Sequence, residues 1–134
     1  MVATLSPAPF SILLVEDEST VCLALSRILT REFPESTVYT AESGIAGLEL
    51  FKQHSPEIVI TDINMPIMDG IEMAEEIKAI RNDTKFIVIT GYFDKNYLER
   101  FGEIGFVDYI VKPVDFNKLF AAIEKCLAEM LVGK

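Results

Sequence analysis

The amino-acid sequence predicts an α/β fold, a doubly wound, five-stranded parallel sheet with five helices shared between its two faces. Three observations carry this reading. Short runs of β-branched and aliphatic residues alternate five times with longer runs whose apolar residues recur at helical spacing. The chain has 134 residues, half of them apolar, which suits one domain with one well-filled core. Four of the five strand candidates run out into a polar cluster: Glu16-Asp17, Asp62, Thr90 and Lys112-Pro113. In an open parallel sheet the carboxyl ends of the strands share one edge, and ligands bind in the crevice there, so residues distant in sequence become neighbours.

The first strand is read from Phe10 to Val15. Asp17-Glu18-Ser19 then gives N-cap chemistry to a first helix with Val21, Leu25, Ile28 and Leu29 on one face, which Pro34 ends. Thr37 to Thr40 makes a short second strand, and Ser43 to Gln53 a helix with Ile45, Leu48 and Phe51 inward. His54, beside Ser55 and Pro56, falls in an exposed turn. A third strand, Glu57 to Thr61, delivers Asp62 into the loop Ile63-Asn64-Met65-Pro66-Ile67-Met68-Asp69-Gly70, and a helix carrying Met73, Ala74, Ile77 and Ile80 follows. Strand four, Lys85 to Ile89, ends at Thr90-Gly91 and leads to a helix around Tyr97, Leu98, Phe101 and Ile104, with Gly105 as its stop. Strand five is Phe106 to Val111, and the last helix, Asp115 to Met130, turns Phe116, Leu119, Phe120, Ile123, Leu127 and Met130 inward, with Lys118, Glu124 and Glu129 outside.

Charge and composition exclude several classes of function. A net charge of −9, with twelve scattered basic residues, argues against a nucleic-acid backbone as partner. Residues 1–9 carry no basic residue, and the apolar run after them is broken by Glu16, Asp17 and Glu18, so they do not read as a signal peptide. Apolar stretches all fall short of the eighteen or so residues a membrane helix needs. The expectation is a cytoplasmic protein that contacts neither membrane nor nucleic acid. Cys22 and Cys126 lie far apart inside helical segments, match no metal-ligand spacing, and read as structural thiols.

The clustered strand ends permit a specific chemistry. Glu16, Asp17 and Asp62 meeting in one crevice would repel one another unless a cation lay between them. Mg2+ fits best, since it takes oxygen ligands and is held by one or two carboxylates together with a phosphate. The backbone carbonyl of Asn64 can add a ligand. A magnesium ion beside a single aspartate also suits phosphoryl transfer to that carboxylate, with Asp62 as acceptor. Lys112 supplies a compact positive charge and Thr90 a hydroxyl donor for the phosphoryl oxygens. Met65, Met68 and Met73 read as gap-fillers under the loop.

Taken together, Leu14-Val15-Glu16-Asp17-Glu18, Thr61-Asp62-Ile63-Asn64-Met65-Pro66, Asp69-Gly70, Thr90-Gly91 and Tyr109-Ile110-Val111-Lys112-Pro113 resemble the receiver domain of bacterial response regulators, over about residues 10 to 130. The resemblance implies a flavodoxin-like fold with strand order 2-1-3-4-5. It also implies that Asp62 takes a phosphoryl group from the phosphohistidine of a sensor histidine kinase or a histidine phosphotransfer protein. Glu16, Asp17, Asp62 and the Asn64 carbonyl would bind Mg2+. Thr90 and Tyr109 would form the switch, acting on the surface of helix four, strand five and helix five. The peptide before Pro113 is expected to be cis. Asn64 and Tyr92 occupy positions that modulate phosphoryl lifetime in this family. The first acid is Glu where Asp is also common, and Gly91 stands where Ala is frequent.

The corresponding division of the chain is a short extension over 1–9, a receiver domain over 10–131 and a tail over 132–134. Both a stand-alone regulator and a receiver attached to an effector domain in a longer parent chain are consistent with it. The alternative is a receiver-like protein-binding module that works without phosphorylation, against which all the expected site residue types are present. A flavin carrier of the same fold needs a hydroxyl- and glycine-rich phosphate loop after strand one, where this chain is acidic. A phosphohydrolase needs a second carboxylic acid to protonate its leaving group, and Asn64 stands two residues beyond Asp62.

Overall fold

A computed structural model of the protein describes residues 8–91 and 95–132. Five strands alternate with five helices: β1 (Phe10–Val15), α1 (Ser19–Glu32), β2 (Ser36–Ala41), α2 (Gly44–His54), β3 (Ile58–Asp62), α3 (Gly70–Ile80), β4 (Lys85–Thr90), α4 (Lys95–Ile104), β5 (Asp108–Val111) and α5 (Phe116–Val132). The strands form one parallel sheet in the order β2-β1-β3-β4-β5, as expected.

Alternation along the strands builds the two halves of the core. Phe10, Ile12, Leu14, Ile58, Ile60, Ile87, Ile89 and Ile110 face one side, where α1 and α5 bring Cys22, Leu25, Leu29, Leu119, Ala122, Ile123 and Cys126. The intervening residues Leu13, Val15, Val59, Phe86 and Val88 face the other side, against Leu48, Phe51, Met73, Ala74, Ile77 and Phe101 of α2, α3 and α4. Central strands of a parallel sheet are covered on both faces, which is why these runs are continuously apolar rather than alternating with polar residues. Both cysteines are free, buried and in the same half of the core. Burial pushes the Cys126 thiol up to about 12, so it stays protonated and unreactive near neutral pH.

Several local expectations are corrected. β3 extends to Asp62 itself, and β5 begins two residues later than expected, at Asp108. Glu18 is the N-cap of α1 without a side-chain cap bond; its N–H is instead accepted by Glu16 Oε2 at 3.0 Å. Ile45, Ile80 and Phe116 are substantially exposed, at 49%, 52% and 44%. Ile45 and Phe116 lie in the first turns of their helices and Ile80 ends its own. Gly47 and Ala122, Cys126 are the small residues that take the inward positions in α2 and α5. His54 is the last residue of α2, its ring stacked on Tyr39 at 4.1 Å. Tyr92 lies outside the described residues.

Candidate functional site

The parallel register brings the polar clusters to one edge. Glu16 and Asp17 follow the end of β1, Asp62 closes β3, Thr90 closes β4 and Lys112 follows β5. Asp62 is aligned with Ile89, and Thr90 with Val111. Ladder bonds continue past the strand ends: Ile63 N–H donates to the Ile89 carbonyl at 3.2 Å, and Lys112 N–H to the Thr90 carbonyl at 2.8 Å. The site backbone is therefore held by the sheet rather than by loops alone.

The side chains converge as well. Lys112 Nζ donates to Asp62 Oδ2 at 2.7 Å and lies 3.4 Å from Glu16 Oε1. Asn64 N–H donates to Asp62 Oδ1 at 3.3 Å. Glu16 and Asp62 are buried, at 1% and 4% exposure, while Asp17 is exposed. Thr90 is buried beside them, and the Lys112–Pro113 peptide is cis. A Cβ at Gly91 would stand 3.8 Å from Lys112 Cδ, ordinary contact, so the lysine stem lies along this small residue.

Among the described residues, three carboxylates share this edge with the Lys112 ammonium. One oxygen each of Glu16, Asp17 and Asp62 lie within 4.8 Å of one another. Burial pushes the Glu16 carboxyl above its ordinary range and the Asp62 charge adds to the rise, against the Glu18 N–H and Lys112, which oppose it. Burial pulls Lys112 down, but the hydrogen bond and charge of Asp62 and the charge of Glu16 outweigh it and hold the ammonium above its usual value. Even so, Glu16 Oε1 is buried without a hydrogen-bond partner among the described residues, its contact with Lys112 being ionic only. A buried carboxylate oxygen without a hydrogen bond, close to two further carboxylates, is a donor set that fits a hard divalent cation.

Glycines set the approach of the surrounding loop. A Cβ at Gly70 would lie 2.2 Å from the Asp62 carbonyl oxygen, so only glycine lets the start of α3 close onto the end of β3. Gly70 N–H donates to the Ile63 carbonyl at 2.9 Å. Asp69 caps α3 in a reciprocal box with Glu72, a D-x-x-E signal legible in the sequence though not used above. The ion pair of Lys112 with Glu16 was also missed, because nothing in a linear sequence says which of two acids a distant lysine reaches.

Tyr109 stands apart from the carboxylates. It is 40% exposed, and its ring packs edge-on against Phe106 at 6.1 Å. Phe106 in turn meets Phe101, and Phe101 meets Phe86, so a chain of edge-to-face contacts runs from the sheet interior through α4 to Tyr109.

A family model for the response regulator receiver domain matches residues 12–124. Among curated proteins, an uncharacterized response regulatory protein of Staphylococcus epidermidis is 34% identical over 111 residues, 82% of this chain and 43% of that protein. The transcriptional regulatory protein HptR of Staphylococcus aureus is 31% identical over 123 residues, 91% of this chain and 48% of its own length. The chain thus spans less than half the length of these relatives. Among solved structures, a response regulator receiver domain protein from Clostridium thermocellum superposes with a TM-score of 0.85 at 31% identity, covering 93% of this chain and 99% of the other. One from Methanospirillum hungatei reaches 0.87 at 28% identity, covering 95% and 100%. With its sheet order, its acidic edge and these matches in agreement, the chain belongs to the response regulator receiver domain family of two-component signalling.

Proposed function

We propose that this receiver accepts a phosphoryl group on Asp62 from the phosphohistidine of a sensor histidine kinase or a histidine phosphotransfer protein. The observation that carries this reading is the convergence of Glu16, Asp17 and Asp62, with one buried Glu16 oxygen that has no hydrogen bond among the described residues and with Lys112 bonded to Asp62. Glu16, Asp17, Asp62 and the Asn64 carbonyl would hold Mg2+, which when bound neutralises the carboxylates and the incoming phosphoryl oxygens.

An Asp62 carboxylate oxygen attacks the phosphorus in line with the donor nitrogen. The new O–P bond forms as the N–P bond breaks, and the donor imidazole leaves with the N–P electron pair. Lys112 transfers its hydrogen bond from Asp62 Oδ2 to a phosphoryl oxygen. The Thr90 hydroxyl, on the adjoining strand end, donates to another. The added charge binds Thr90 and Lys112 better in one loop arrangement than in the other, and only this difference in affinity can shift the population. Tyr109 then turns inward along its aromatic row, changing the surface of α4, β5 and α5. The chain acts as phosphoacceptor that assists its own phosphorylation and dephosphorylation.

Incubation with phosphoramidate and Mg2+, followed by intact mass, tests this. One hydroxylamine-labile phosphoryl adduct is expected on the wild type and none on Asp62→Asn. Adduct formation that survives Asp62→Asn, or that never occurs in the wild type even under rapid quench, would replace the reading with a binding module independent of phosphorylation.

A further inference from the structure

The last turn of α3, at the edge of the sheet away from Asp62, holds a lysine in surroundings that work against its charge. Lys78 is half-buried, and its Nζ stands 5.8 Å from the centre of the Phe86 ring, which is itself packed edge-on against Phe101. That distance is the outer limit of a cation–π contact, so the ring serves mainly to keep water from one side of the amine. Nζ donates to the Asn82 carbonyl at 2.9 Å and has no carboxylate within ion-pair distance among the described residues. Its one bond is to a neutral acceptor.

A second lysine shares the place. Lys78 and Lys85 line one cavity of about 180 Å³, together with the rings of Phe86 and Phe106 and the carboxylates of Asp83 and Glu129. Burial pulls the Lys78 ammonium below its ordinary range and the like charge of Lys85 adds to the fall, against Asp83, which opposes it. Glu129 is engaged elsewhere, with Lys85 at 3.6 Å. The result is an amine held beside a small cavity with one apolar wall and a neighbouring positive charge.

We propose that Lys78 is a preferred acylation site, taking a short acyl group from small acyl phosphates. The lone pair of the neutral Nζ attacks the acyl carbon. The N–C bond forms as the C–O bond to phosphate breaks, phosphate leaves with that electron pair, and the amine gives up a proton to solvent. The Asn82 carbonyl holds one N–H of the amine throughout. Phe86 and Phe106 offer the acyl group an apolar wall, and Lys85 offers the leaving phosphate a positive charge, its pair with Glu129 being long and partly exposed. A bulky acyl thioester fits this small cavity less well. The product is a neutral amide, which ends the repulsion between the two lysines. This site is independent of the phosphoacceptor reading of Asp62.

The test follows acetylation lysine by lysine with acetyl phosphate as the probe, near neutral pH. Peptide masses after cleavage at glutamate separate an acetylated lysine from a phosphorylated aspartate. In the folded wild type Lys78 should react about three- to tenfold faster than Lys52 and Lys118, which are exposed. In urea, where the cavity is lost, the three rates should converge. Lys85→Gln should bring Lys78 down toward the exposed lysines and leave those two unchanged, whereas Lys85→Arg, which keeps the positive charge, should retain the preference. Equal rates at the three lysines of the folded chain would overturn the proposal. So would a preference that persists in urea, or one that is indifferent to Lys85→Gln.

Discussion

The two edges of the sheet treat charge in opposite ways. At the amino edge, Lys85 pairs with Glu129 at 3.6 Å, Arg81 with Asp83 at 2.9 Å, and Glu57 accepts from both the N–H and hydroxyl of Ser11. These groups are partly exposed and matched one to one, around an apolar cavity of about 320 Å³ lined by Phe10, Leu127 and Met130. At the carboxyl edge, three carboxylates crowd against one ammonium, two of them buried, and one oxygen has no hydrogen-bond partner among the described residues. That cavity lies at the edge where the charges are already paired. What distinguishes the carboxyl edge is unbalanced charge held in place by the fold.

Substitutions at the two edges sharpen that contrast. The largest effect is expected for Lys112→Met, which removes the ammonium bonded to Asp62; phosphorylation by phosphoramidate should slow about 10²–10³-fold in quenched time courses. Gly70→Ala places a methyl 2.2 Å from the Asp62 carbonyl oxygen, so it should lower stability in urea by about 1–3 kcal/mol and slow phosphorylation with it. Lys85→Ala breaks only a half-exposed pair at the opposite edge. It should change stability by about 0.2–1 kcal/mol and leave phosphorylation untouched. A phosphorylation defect in Lys85→Ala as large as that in Lys112→Met would erase the distinction between the edges.

The fold was legible because its signals are redundant. Each strand is a buried aliphatic run, each helix has its own period, and the sheet order follows once the crossovers are right-handed. The convergence of Glu16, Asp17, Asp62 and Lys112 was legible for the same reason, since strand ends fix residues to an edge regardless of loop detail. Helix ends were less so. Ile45, Ile80 and Phe116 satisfy the helical period but lie where α2, α3 and α5 begin or end, and the period alone does not say which end residues are covered. The turn at Ile67 was invisible, because sequence signals for positive φ are glycine and asparagine, and an isoleucine there runs against them.

Thermal melting in a Mg2+ titration tests most directly the claim that unbalanced charge at the carboxyl edge is a cation site. The account predicts that Tm rises with Mg2+ in the wild type and equally in Lys85→Ala, by an amount worth about 1.4 kcal/mol at roughly tenfold excess over Kd, and stays flat in Glu16→Gln. A wild type indifferent to Mg2+, or a rise of the same size in Glu16→Gln, would contradict it.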